Sequence, residues 1–108
     1  MTCEDTPVRL TWEIELLEPF SRVWLCRGYG RATTSADPAD IARAVLAGYL
    51  AGTPARGGET FRAIARTDTG TEAVVTAAEL TAGGWEAGPD VRQALPEYLR
   101  DALGEAPV

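Results

Sequence analysis

A chain of 108 residues with 45% hydrophobic content is sized for one domain and holds enough apolar side chains for a core. Sixteen acidic residues against ten basic ones give a net charge of -6, which argues against a general affinity for nucleic acid or an anionic membrane, where the long-range attraction is electrostatic. All ten basic residues are arginine, and the absence of histidine and lysine removes Ser-His-Asp and Cys-His pairs, histidine metal ligands, Schiff bases and the phosphate-binding lysine of a P-loop.

Met1 to Pro7 carries Glu4 and Asp5 and no apolar run, so no signal peptide is expected. No stretch approaches the ~20 apolar residues of a membrane span. The expectation is a cytoplasmic protein with a flexible N-terminus (1–7), a single domain (8–104) and a short tail (105–108). Cys3 and Cys26 lie too far apart for a C-x-x-C motif and form no disulfide framework.

From Val8 to Leu17, Val8, Leu10, Trp12, Ile14 and Leu16 alternate with Arg9, Thr11, Glu13 and Glu15, the period of a half-buried strand. Glu18-Pro19-Phe20-Ser21 reads as a turn, and a second strand runs from about Arg22 to Thr33. A two-residue loop at Pro19-Phe20 places Leu16 opposite Val23, Ile14 opposite Leu25 and Leu10 opposite Tyr29 on one apolar face. The other face then pairs Leu17 with Arg22, Glu15 with Trp24 and Glu13 with Cys26, while Trp12 meets Arg27. Trp12 and Trp24 accordingly look in opposite directions.

Asp37-Pro38-Ala39-Asp40 starts a helix that runs to about Ala51, with Ile41, Val45 and Tyr49 beside Ala42, Leu46 and Leu50 on a wide apolar stripe. Gly52 to Gly58 reads as a surface loop, and Gly57-Gly58 lacks phosphate-loop spacing. Glu59 to Thr67 reads as a third strand with Phe61, Ala63 and Ala65 on one face and Arg62, Ile64 and Arg66 on the other. Asp68-Thr69-Gly70 turns into a short fourth strand, Glu72 to Thr76. Thr76-Ala77-Ala78-Glu79 fits a capping box for a short helical turn, with a longer fourth strand as the rival reading. Trp85 reads as a loop anchor in the core or as a rim aromatic. From Pro89 a last helical segment, broken at Pro96, carries Val91, Leu95, Tyr98, Leu99, Ala102 and Leu103 on one side. The expected fold is α+β: a four-stranded, mainly antiparallel sheet in β-β-α-β-β-α order with helices packed on it in two layers. That order is similar to HicB-like antitoxins and to distant relatives of double-stranded-RNA-binding domains, a likeness of topology alone.

Three constellations rise above background. In Arg27-Gly28-Tyr29-Gly30-Arg31, strand glycines mark a bulge or a close approach, and Arg27 could grip an anion while Tyr29 stacks or hydrogen-bonds; the plainer alternative is a bulge that turns Arg27 outward with Tyr29 in the core. On the sheet's second face, Trp24 with Arg22, Arg62, Ile64 and Arg66 has the Trp and Arg content of binding hot spots, unless the C-terminal helix packs there and buries Trp24. Glu13 and Glu15 share a face, as acid-base or cation-binding carboxylates do, or as arginine-paired ones do.

The leading expectation is a small non-enzymatic interaction module, accessory, regulatory, antitoxin-like or immunity-like, that binds a protein partner or forms a homodimer through the open sheet face or an edge strand. A small-molecule binder or minor enzyme using Arg27, Tyr29, Glu13 and Glu15 is second. Nucleic-acid binding by Trp24 and the sheet-face arginines is third. No motif calls for a cofactor or a metal.

Overall fold

The computed structural model describes residues 7–51, 60–83 and 89–103. The expectations for Cys3, the loop 52–58, Trp85 and both chain ends fall outside these residues. The elements are β1 (Val8–Leu17), β2 (Trp24–Thr34), α1 (Pro38–Ala51), β3 (Phe61–Thr67), β4 (Glu72–Thr76), α2 (Ala77–Gly83), α3 (Pro89–Gln93) and α4 (Glu97–Leu103). The four strands form one antiparallel sheet in the order β2-β1-β3-β4, with α1 packed against it, so the α+β architecture read from the sequence is the one observed.

The alternation in β1 sorts its side chains cleanly. Leu10, Trp12 and Ile14 are buried beneath α1, and Ala63, Ala65, Phe61 and Val75 join them from β3 and β4. Trp12 is the largest fully buried side chain among the described residues; an indole of its size removes ~200 Å² from water, worth roughly 5 kcal/mol at about 25 cal/mol per Å². α1 begins as its sequence dictates: Asp37 Oδ1 accepts from the Ala39 amide at 2.9 Å, with Pro38 at the first helical position. Its buried residues Ile41, Ala42, Ala44, Val45, Leu46 and Gly48 wrap most of the helix, because the sheet takes one side and α4 another. At Gly48 the fit is tight: a Cβ there would lie 3.0 Å from the Leu99 carbonyl oxygen. Val91, Leu95 and Leu99 enter this same core, whereas Tyr98, expected beside them, is exposed.

Thr76 caps the helix that follows, its Oγ1 accepting from the Glu79 amide at 3.2 Å, one of the two bonds of the expected capping box. The β3–β4 turn uses Gly70 at φ 100°, a region L side chains avoid. Pro96 separates α3 from α4. No helix among the described residues is long and apolar enough to cross a membrane.

The hairpin register departs from expectation. The loop has four residues, 19–22: the Glu18 amide donates to the Val23 carbonyl and the Arg22 amide to the Glu18 carbonyl, both at 2.8 Å. Arg22 takes φ 62° to close it, a conformation that no glycine or asparagine advertises here. The Glu18 carboxylate holds the loop from inside, accepting from the Ser21 amide and hydroxyl at 2.5 and 2.7 Å. Leu16 therefore pairs with Leu25, Leu17 with Trp24 and Glu15 with Cys26. A bulge follows, with Arg27 the extra residue opposite the Ile14–Glu15 step. Beyond it Ile14 pairs with Gly28, Glu13 with Tyr29, Trp12 with Gly30 and Leu10 with Ala32. The longer loop slides the pairing by two residues and the bulge turns Tyr29 off the apolar face, where it was expected opposite Leu10, onto the other face at 77% exposure. They also set a glycine, not Arg27, opposite Trp12. A Cβ at residue 30 would meet the indole 2.7 Å from Cε2, so the absent side chain makes room for the ring.

Candidate functional site

The register defines the second face of the sheet. β2 contributes Trp24, Cys26, Tyr29, Arg31 and Thr33; β1 contributes Arg9, Thr11, Glu13, Glu15 and Leu17. β3 adds Arg62, Ile64 and Arg66, and β4 adds Glu72, Val74 and Thr76. The alternative in which the C-terminal helix covers Trp24 is overturned, because the buried residues of α3 and α4 belong to the core on the opposite side, with α1 and Trp12. Among the described residues no helix covers this second face.

Of the residues expected to bind a partner, Trp24, Arg62, Ile64 and Arg66 do share the face, whereas Arg22 stands in the hairpin loop. Arg62 sits over the Trp24 ring, its guanidinium carbon 3.9 Å from the ring centroid. Its Nε and Nη2 are both 2.7 Å from Glu15 Oε1. Stacking and pairing by one planar guanidinium is the geometry for which arginine is suited. The result is a layered Trp24–Arg62–Glu15 unit spanning three strands. Ile64 is not the accessible contact its sequence position suggests. It sits between Glu13 and Val74 near the sheet's centre and is 5% exposed.

Arg66 Nε donates to Glu72 Oε2 at 2.5 Å, and its Nη1 lies 3.5 Å from Glu13 Oε1. Its bond to the Glu72 carboxylate holds the guanidinium above its ordinary proton affinity. Glu13 and Glu15 are thus engaged by arginines from β3, the bland outcome for a carboxylate pair. Of the four residues grouped as a ligand set, Glu13 and Tyr29 line one open cleft of about 480 Å³ with Thr11, Cys26 and Arg31, whereas Arg27 is exposed on the bulge and Glu15 is held by Arg62. No group of three or more Cys, Asp or Glu among the described residues could hold a metal ion.

Sequence reasoning missed one feature of this face. Near the end of the ribbon away from the hairpin loop, Arg9, Thr11, Arg31, Thr33, Arg66 and Asp68 are among the residues lining a shallow cleft of about 480 Å³. It brings together arginine residues from three strands and the carboxylate residue Asp68, and only the correct β1–β2 register puts Arg31 beside Thr11.

No family model matches the chain, and neither does any curated protein or solved structure at a significant level.

Proposed function

We propose that this protein is a non-enzymatic interaction module that binds a protein partner through the helix-free face of its sheet. The observation that carries the reading is Trp24, half-buried on that face with the Arg62 guanidinium over its ring. An aromatic ring already fixed in place loses little conformational freedom when a partner covers it, and Trp and Arg are the residues most often found at interface hot spots. Tyr29 and Val74, exposed on the same face, extend the apolar area on either side of the arginine–glutamate pairs. The pairing of Glu13 and Glu15 with arginines supports a structured docking surface over a catalytic carboxylate pair.

The test compares tagged wild-type protein with Trp24→Ala in capture from the native host, with circular dichroism to verify the fold and light scattering to read the oligomeric state. Trp24 lies away from the core, so the variant folds. Loss of the captured partner, or of a dimer, in Trp24→Ala is the expected result. Identical capture by both proteins, or a monomer that retains nothing, overturns the reading.

A further inference from the structure

β2 closes one side of the sheet, and no strand among the described residues pairs with its outer edge. With eleven residues it is the longest of the four strands. An open edge is a template for another strand, and proteins normally blunt it with bulges, prolines or charge. Here the bulge at Arg27 guards only one part. From Gly28 to Thr34 the register with β1 runs without interruption, leaving a regular edge of seven residues.

The charge on this edge is opposite to that of the chain. Residues 19–36 contain Arg22, Arg27 and Arg31 and none of the sixteen carboxylates, in a protein of net charge -6. Arg31 lines the cleft described above with Arg9, and neither arginine forms an ion pair among the described residues, Asp68 of the same lining included. Arg66, their neighbour, is already engaged by Glu72 and Glu13.

We propose that the Gly28–Thr34 edge of β2 receives an extended, carboxylate-rich segment of a partner protein as a fifth strand, its acidic side chains entering the Arg9–Arg31 cleft. This deepens the interaction-module reading and rests on it. Main-chain hydrogen bonds from the edge supply the general affinity of strand addition, and side chains on alternate positions supply the choice of partner. Side chains on the open face of an added strand pass Tyr29, Arg31 and Thr33 in turn. A carboxylate beside Arg31 meets a planar donor fork suited to it. A second copy of this chain is the poorer occupant. Two β2 edges paired about a two-fold axis bring only arginines, as charged groups, to the seam.

The test uses the full-length protein and a synthetic peptide of alternating threonine and glutamate, long enough to span Gly28–Thr34. Matched peptides carry glutamine or lysine in place of glutamate. Fluorescence anisotropy reads affinity, and amide hydrogen exchange reads the β2 backbone. The acidic peptide should bind and slow exchange in β2, with the glutamine and lysine peptides at least roughly tenfold weaker. Arg31→Glu should lose the acidic peptide and gain the lysine one, a swap that an unfolded variant could not produce. No binding of the acidic peptide, equal binding of the glutamine peptide, or binding without protection of β2 overturns the proposal. If it fails while partner capture still depends on Trp24, the strand addition alone is wrong; if both fail, the interaction-module reading falls with it.

Discussion

Replacing Gly30 by alanine tests the β1–β2 register directly. The new Cβ would stand 2.7 Å from Cε2 and 3.1 Å from Nε1 of Trp12. The indole cannot retreat easily, since it is 1% exposed and packed in the core with Leu10 and Ile14. Overpacking of this kind costs ~1–3 kcal/mol, and the stiffer unfolded chain of an alanine variant returns ~0.4–1 kcal/mol. The net loss is about 1–2 kcal/mol, a fall in Tm of roughly 4–16 °C for a domain of this size. Gly28→Ala is the internal control. It lies two residues away on the same face, yet its Cβ would meet only Ile14 Cδ1, at an ordinary 3.9 Å; its stability should match wild type or exceed it by up to ~0.5 kcal/mol. Thermal and urea unfolding followed by far-ultraviolet circular dichroism measures both. Trp12→Phe, which removes the fused ring at the point of contact, should shrink the Gly30→Ala penalty in a double-mutant cycle. Equal stability of the two alanine variants would refute the placement of Trp12 over Gly30 and the register with it.

Three further outcomes follow from the same geometry. The hydrogen bond from the Ser21 amide, then that from its hydroxyl, lowers the proton affinity of Glu18, so the loop's stabilisation is present above the ordinary glutamate range and is lost as pH falls through the depressed folded-state value. A carboxyl titration by NMR should show Glu18 protonating below its ordinary value, and Ser21→Ala should move it back upward. Arg62→Ala should cost about 1 kcal/mol, a figure kept small because the pair is partly exposed, and should shift the Trp24 indole resonance while leaving that of Trp12 in place. Gly48→Val should loosen α4 by ~1–3 kcal/mol, because its side chain meets the Leu99 backbone oxygen rather than a mobile tip, and faster amide exchange confined to α4 is the readout.

Much of this molecule is local in origin and could be read one residue after another. Period-two alternation in β1 and β3 assigned their faces because a strand's side chains alternate whatever it pairs with. Asp37-Pro38 and Thr76–Glu79 announced helix starts because a cap is a contract between residues two or three apart. The opposite orientations of Trp12 and Trp24 hold for the same reason, though partly by luck: the mistaken loop length was off by an even number of residues at the hairpin end, which preserves faces there.

The tertiary structure decided what depends on elements meeting. A four-residue loop closed by a positive-φ arginine and a bulge at Arg27 leave no fixed sequence signature, and one extra residue reverses every later side chain, which is how Tyr29 came to the open face. The apolar stripes of α1, α3 and α4 show that each needs a partner surface without naming it. Whether they covered Trp24 or Trp12 was a competition between two sheet faces, settled because the charged rows of Arg62, Arg66, Glu13 and Glu15 satisfy one another across strands, while Leu10, Trp12, Ile14 and Val75 have only the helices to exclude water.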